Sequence, residues 1–213
     1  MSNESYGIRH GESEANVGGT AKDPHSTNLT PKGEAQSERV ANEIKYLGIQ
    51  SALIISSPFL RAKQTALPTR RLFPNIPYEE WEVYEFSYLG GLHGKDLNNE
   101  SRRKERDEFW KLSNPTFVHG GDPMKSESFA AFIERVSQVR EKIHSTKGVI
   151  FIFSHEQFLN ALFWLEEKNP KNITHETMKD YKTYITQNRL PNGSLFSFNV
   201  YSGTRRKKLF APN

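Results

Sequence analysis

The stretch GVIFIFSHEQFLNALFWLEE, Gly148–Glu167, decides the fold. Val149 to Phe153 is an unbroken apolar run of β-branched and aromatic residues, the composition of a strand buried on both faces. Ser154 and His155 end the run, and EQFLNALFWLEE then reads as a helix. A buried strand, a polar junction and a helix in that order predict a parallel sheet, whose ligands bind beyond the carboxyl ends of the strands.

The same grammar extends in both directions. Upstream, SESFAAFIERVSQVREKIHS sets Phe129, Phe132, Ile133, Val136, Val139 and Ile143 at helical spacing, with Ser126 or Ser128 as the cap. In LTPKGEAQSERVANEIKYLG, Thr30 is the expected N-cap and Pro31 the first helical residue; Val40, Ala41, Ile44 and Leu47 share one face, and Gly48 stops the helix. SALIISS, residues 51–57, is a second buried strand, followed by a helix from Pro58 that Pro68 is expected to interrupt. A first strand at Tyr6–Ile8 has the weakest pattern. Downstream come a helix over 174–187 and a strand over Leu195–Val200, reversed at Ser202-Gly203, which predicts an antiparallel edge. The expected fold is a three-layer α/β sandwich: a mostly parallel central sheet, helices on both faces and an antiparallel edge strand. We read residues 1–213 as one domain with an insertion over the site at about 86–125. There NNESRRKERDEFWKL forms a polar helix capped at Asn98 or Asn99, and SNPTFVHGGDP a turn-rich loop.

Composition narrows the function. The absence of cysteine excludes disulfides and thiolate metal sites. The first 30 residues hold no signal-like apolar run, and nothing approaches the ~18–20 apolar residues of a membrane span. The expectation is a cytoplasmic protein with no membrane partner. A surplus of 29 basic over 25 acidic residues describes a mixed surface that favours anionic partners without being a polycation. The basic clusters Arg102-Arg103-Lys104 and Arg205-Arg206-Lys207-Lys208 lack interleaved aromatics, so they are read as solvated surface and no nucleic acid is expected. The triplets Asn28-Leu29-Thr30 and Asn192-Gly193-Ser194 are read as composition. The oligomeric state is left open.

Three strand ends carry polar chemistry: Arg9-His10, Ser56 to Arg61, and Ser154-His155. In a parallel sheet all three face one crevice. A histidine attacks phosphorus only as neutral imidazole, and nearby guanidinium groups disfavour its protonation. The same planar cations can each hold two phosphoryl oxygens and stabilise charge developing there.

The motifs RHGES (Arg9–Ser13), LTPKGEAQ (Leu29–Gln36), SSPFLRAKQTA (Ser56–Ala66), Glu85 before FSYLGG, and FSH (Phe153–His155) occur together and in order. In this the chain resembles the histidine phosphatase superfamily, in its phosphoglycerate-mutase-like branch. The resemblance implies that His10 is the nucleophile that becomes phosphohistidine, that Arg9, Arg61 and His155 complete the phosphate pocket, and that Asn16 adds a neutral donor. It implies that Glu85 is the proton donor to the leaving group, with Glu82, placed on the third strand, as its competitor. The implied activity is that of a phosphomonoesterase acting without metal or other cofactor on a small-molecule phosphoester or a phosphoprotein. Two alternatives stand beside it: a phosphoglycerate mutase, and a catalytically weak phosphate- or phosphoprotein-binding module. Three departures bear on these. Glu156 follows the second histidine where glycine is common, Phe86 stands where the mutases carry arginine, and Gly90-Gly91 and Gly94 are offset. Glu127 matches another recurring acid, although a position at a helix N-terminus also accounts for it.

Overall fold

The computed structural model describes residues 4–18, 23–49, 52–92, 99–199 and 204–211. Six strands form one sheet: β1 (Glu4–Arg9), β2 (Ala52–Ser56), β3 (Tyr78–Glu80), β4 (Val149–Ser154), β5 (Leu195–Asn199) and β6 (Thr204–Phe210). Their order is β3-β2-β4-β1-β5-β6. The first four run parallel, while β5 is antiparallel to both β1 and β6, so the expected mostly parallel sheet with an antiparallel edge is present. The predicted reversal at Ser202-Gly203 lies outside the described residues.

The helices are α1 (Pro31–Tyr46), α2 (Leu60–Leu72), α3 (Asn99–Leu112), α4 (Phe129–Ser145), α5 (Glu156–Lys168) and α6 (His175–Gln187). Strand alternation divides the core between two faces. Tyr6, Ile8, Ile54, Phe151 and Phe153 pack with Val40 and Ile44 of α1 and Ala66 of α2. Ile55, Ile150 and Ile152 face the other layer, built from α4, α5 and α6 and extended by the aromatic residues from Trp81 to Trp110. Gly7 accounts for the weak pattern of β1. A Cβ there would meet Leu159 Cδ2 at 3.0 Å and Phe163 Cζ at 3.1 Å, so the strand trades an apolar side chain for close approach of α5. Among the described residues no helix is long and apolar enough to cross a membrane.

Local expectations meet the structure unevenly. Thr30 and Ser128 cap α1 and α4 through bonds from Gly33 N and Ala131 N. Leu47 is the C-cap of α1 and is 36% exposed, because the apolar face ends one turn earlier at Ile44. Asn98 lies outside the described residues. Helix α2 begins at Leu60 rather than Pro58 and continues through Pro68 to Leu72. Buried Ala66 and Thr69 flank that proline, and the Arg70 guanidinium sits 3.8 Å over the Tyr78 ring. Packing on both sides holds a helix that the missing N–H would weaken. Strand β3 ends at Glu80, so Glu82 is not on it; Trp81 N already turns back to Ser56 O.

Candidate active site

Strands β1, β2 and β4 end side by side and bring their polar junctions together. His10 N donates to Ser154 O at 2.9 Å, and Ser57 N to Phe153 O at 2.9 Å, which locks the three loop entries to one another. The His10 and His155 rings lie edge to face with centroids 5.1 Å apart. Between them stands Arg61, in the first turn of α2 and 7% exposed. Its Nε donates to His10 Nε2 at 3.2 Å, one terminal nitrogen to His155 Nδ1 at 3.1 Å, and the other to Pro24 O at 2.7 Å.

These partners define the imidazole tautomers. His10 Nδ1 lies 2.7 Å from Gly11 O, and a carbonyl can only accept, so Nδ1 carries the proton and Nε2 keeps its lone pair. His155 accepts at Nδ1 and donates from Nε2 to Ser57 Oγ at 2.9 Å. Burial, reinforced by Arg61 and Arg9, holds the His10 pKa well below its ordinary value of 6.5. His155 is lowered by burial, Arg61, His10 and Arg9. Burial also draws the Arg61 guanidinium down to about 10, which leaves it charged at neutral pH. The pair presents neutral imidazoles beside fixed cations, the polarity that receives a phosphoryl group.

Arg9 is oriented by carboxylate and carbonyl. One terminal nitrogen donates to Leu190 O and pairs with Glu156 Oε2 at 3.1 Å, while its buried Nε has no hydrogen-bond partner among the described residues. The Glu156 carboxylate is thus turned to Arg9 rather than left beside an incoming anion. Its other oxygen takes Arg189 Nε at 2.9 Å and Leu190 N at 3.2 Å.

Glu85 joins the group from the segment after β3. Its Oε1 accepts from Phe86 N at 3.1 Å and from Gln157 N, in the first turn of α5, at 3.0 Å. Burial raises its pKa against the opposing fields of Arg61 and Arg9. Arg135 of α4 fixes the backbone that carries Glu85, donating to Glu82 O at 2.7 Å and Tyr84 O at 3.1 Å. Glu82 itself is exposed and borders a different groove, with Trp81 and Lys142. Glu127 precedes the Ser128 cap of α4 instead of lying on the helix, and both its oxygens pair with Arg135 at 2.9 Å.

His10, Arg9, Arg61, His155 and Glu85 therefore converge. Asn16 reaches them at one remove: Asn192 Nδ2 bridges Asn16 Oδ1 at 3.1 Å to the carbonyls of His10 and Gly11. Gly193 N bonds the Arg9 and His10 carbonyls at 3.1 Å, so the triplet read as composition clamps the His10 loop. Thr65, Ser57 and Arg135 are further supports that sequence reasoning passed over. Gly33 marked one contact in advance: a Cβ there would fall 2.0 Å from Glu12 O, so α1 meets the His10 loop backbone to backbone. Among the described residues no three His, Asp or Glu side chains gather as a metal-binding group.

The family model for the histidine phosphatase superfamily (branch 1) matches residues 6–189. The chain belongs to that superfamily. It is similar to a broad-specificity phosphatase of Saccharomyces cerevisiae, 25% identical over 167 residues that cover 76% of this chain and 70% of the relative. It is also similar to a 2,3-bisphosphoglycerate-dependent phosphoglycerate mutase of Thermoplasma acidophilum, 47% identical over 92 residues covering 43% and 44%. Among solved structures, a mycobacterial glucosyl-3-phosphoglycerate phosphatase shares the fold with a TM-score of 0.68 at 18% identity, covering 97% of this chain and 96% of that one.

Proposed function

We propose that the protein is a phosphomonoesterase that works through a phosphohistidine on His10. The observation that carries this reading is the His10 ring, whose Nδ1–H is pinned to Gly11 O while its unprotonated Nε2 faces Arg61. In the proposed reaction Arg9, Arg61 and His155 hold the phosphoryl oxygens, with Asn16 as an outer neutral donor. Nε2 attacks phosphorus in line as the ester P–O bond breaks, and Glu85 gives its proton to the departing alkoxide. Water, deprotonated by Glu85, then attacks phosphorus; the P–N bond breaks and phosphate leaves. The first step needs a neutral Glu85, and the burial that raises its pKa favours that form.

The mutase reading is favoured by the Thermoplasma relative and disfavoured by Phe86, which is buried and stacked on Phe132 at 4.3 Å where a mutase presents a cation. A non-catalytic phosphate-binding module rested on Glu156, whose carboxylate is engaged by Arg9 and Arg189. In the test, His10→Ala abolishes turnover, and wild type quenched during turnover of a labelled phosphoester carries acid-labile, base-stable label on His10. Chelator leaves the rate unchanged. Label on a serine, undiminished activity in the variant, or 2-phosphoglycerate formed from 3-phosphoglycerate faster than free phosphate would overturn the reading.

A further inference from the structure

The triplet that clamps the His10 loop also carries a reactive pair. Asn192-Gly193 is the one Asn-Gly step in the sequence. An asparagine amide is open to attack by the backbone nitrogen of the next residue, and glycine, lacking a side chain, leaves that nitrogen least hindered. Asn114 and Asn169 precede prolines, which have no N–H to give. Asn16, Asn28 and Asn188 precede side chains that crowd the attacking nitrogen.

The turn is placed for the reaction. Ser194 N and Oγ both return to Pro191 O, at 3.2 and 2.6 Å, and close a turn around Asn192 and Gly193 in which Gly193 has φ 66°. Pro191 is exposed and Asn192 half-buried, so water reaches the amide. The single N–H of Gly193 is divided between Arg9 O and His10 O, both at 3.1 Å. When that donor lets go, its nitrogen is free to add to the Asn192 amide carbon.

Loss of the amide strikes the clamp where it matters. Asn192 Nδ2 donates to His10 O at 3.1 Å, Gly11 O at 3.3 Å and Asn16 Oδ1 at 3.1 Å. All three partners are acceptors; Asn16 Oδ1 also takes Ser13 N at 3.0 Å and Ser13 Oγ at 2.9 Å. A carboxylate has nothing to donate and sets its charge against three oxygens. One of these is Gly11 O, the carbonyl that holds the His10 Nδ1–H.

Resting on the phosphomonoesterase reading for the activity it removes, we propose that Asn192 is a modification site whose deamidation releases the His10 loop and inactivates the protein. Gly193 N bonds to Asn192 Cγ, the Cγ–Nδ2 bond breaks, and Nδ2 leaves as ammonia with the proton from Gly193 N. Water then opens the cyclic imide at either carbonyl. One product is an aspartate. The other, an isoaspartate, routes the backbone through the side chain, and the added methylene moves Gly193 N off the Arg9 and His10 carbonyls. Neither product re-forms the clamp.

The test ages wild type in mildly alkaline buffer and follows each asparagine by peptide mapping and mass spectrometry, beside turnover of a phosphomonoester. Asn192 converts first, and turnover falls in proportion to the converted fraction. Asn192→Asp supplies the product directly: kcat/KM drops about tenfold or more, while Asn192→Ala, which removes the donor without adding charge, drops less. In Asn192→Asp the spectrum of isotope-labelled imidazole loses the single Nδ1–H form of His10, a signature that a general loss of stability in a folded chain does not move. Turnover that outlasts conversion, conversion of another asparagine ahead of Asn192, or wild-type kcat/KM with an unchanged His10 tautomer in Asn192→Asp overturns the proposal. Should that variant not fold by circular dichroism, the aged wild type carries the same comparison. If His10→Ala abolishes turnover and fully converted protein keeps it, the phosphomonoesterase reading stands and the modification falls. If wild type turns over no phosphomonoester, that reading falls, and the order of conversion and the His10 spectrum of the aged protein still decide for or against Asn192.

Discussion

Two carboxylates near His10 have opposite tasks in the proposed chemistry, and each can be tested alone. Glu85 is held at Oε1 by two backbone N–H groups, and burial raises its pKa. Glu85→Gln is expected to slow hydrolysis of alkyl phosphates by roughly 100–10,000-fold, and p-nitrophenyl phosphate far less, because a phenolate leaves without a proton. Equal losses on both substrates would assign Glu85 to binding. Glu156 meets the proposed phosphate site through Arg9, and its negative charge also favours the protonated form of Glu85. Glu156→Gln should lower kcat/KM about tenfold, ~1.4 kcal/mol, by loosening Arg9. It should also move the basic limb of the pH–rate profile to lower pH, since Glu85 then ionises more readily beside Arg61 and Arg9. A purely structural Glu156 would leave the limb in place. Both acids were visible in the sequence, but the pairing of Glu156 with Arg9 and Arg189 was not, because nothing local connects them.

Among the elements, α1 sets the His10 loop by a close backbone approach and one side-chain contact. Its Gly33 abuts Glu12 O, while Gln36 Oε1 takes Glu12 N at 2.7 Å and Thr30 N reaches Glu12 O at 2.9 Å. Gly33→Ala is expected to cost about 1–3 kcal/mol in urea melts, as overpacking does, and to reduce turnover more than the stability loss accounts for. Unchanged kcat/KM in the folded variant would show that the loop does not need this contact. The helices with good caps and continuous faces, α1 and α4, were readable because local chemistry fixes both ends. Strand β1, expected at Tyr6–Ile8 on the weakest pattern, is present over Glu4–Arg9; its pattern is weak because α5 lies against Gly7, a tertiary fact. Pro68 misled for the same reason: the local penalty is real, and packing on both sides exceeds it.

For the molecule as a whole, the buried site makes stability depend on pH. His10 and His155 stay neutral in the folded chain, while in the unfolded chain each titrates near 6.5. As pH falls through that value the unfolded state takes up protons that the native state refuses, so stability is full above it and declines below. Melting temperature should drop between about pH 7 and pH 5. His155→Asn should flatten that slope, and an unchanged slope would remove the histidines as its cause. The order of the sheet was legible only in part. Three strand ends facing one crevice followed from their sequence neighbours, but the insertion of β1 between β4 and β5 did not. That insertion has a consequence for synthesis. Strand β1 leaves the ribosome with neither neighbour yet made, and the carbonyls of Arg9 and His10 wait for Asn192 and Gly193. At translation speeds of about 5–20 residues per second, the wait is on the order of 10–40 s. Throughout it the His10 loop lacks the contacts that fix it, so the proposed chemistry must wait until nearly every other element has been translated.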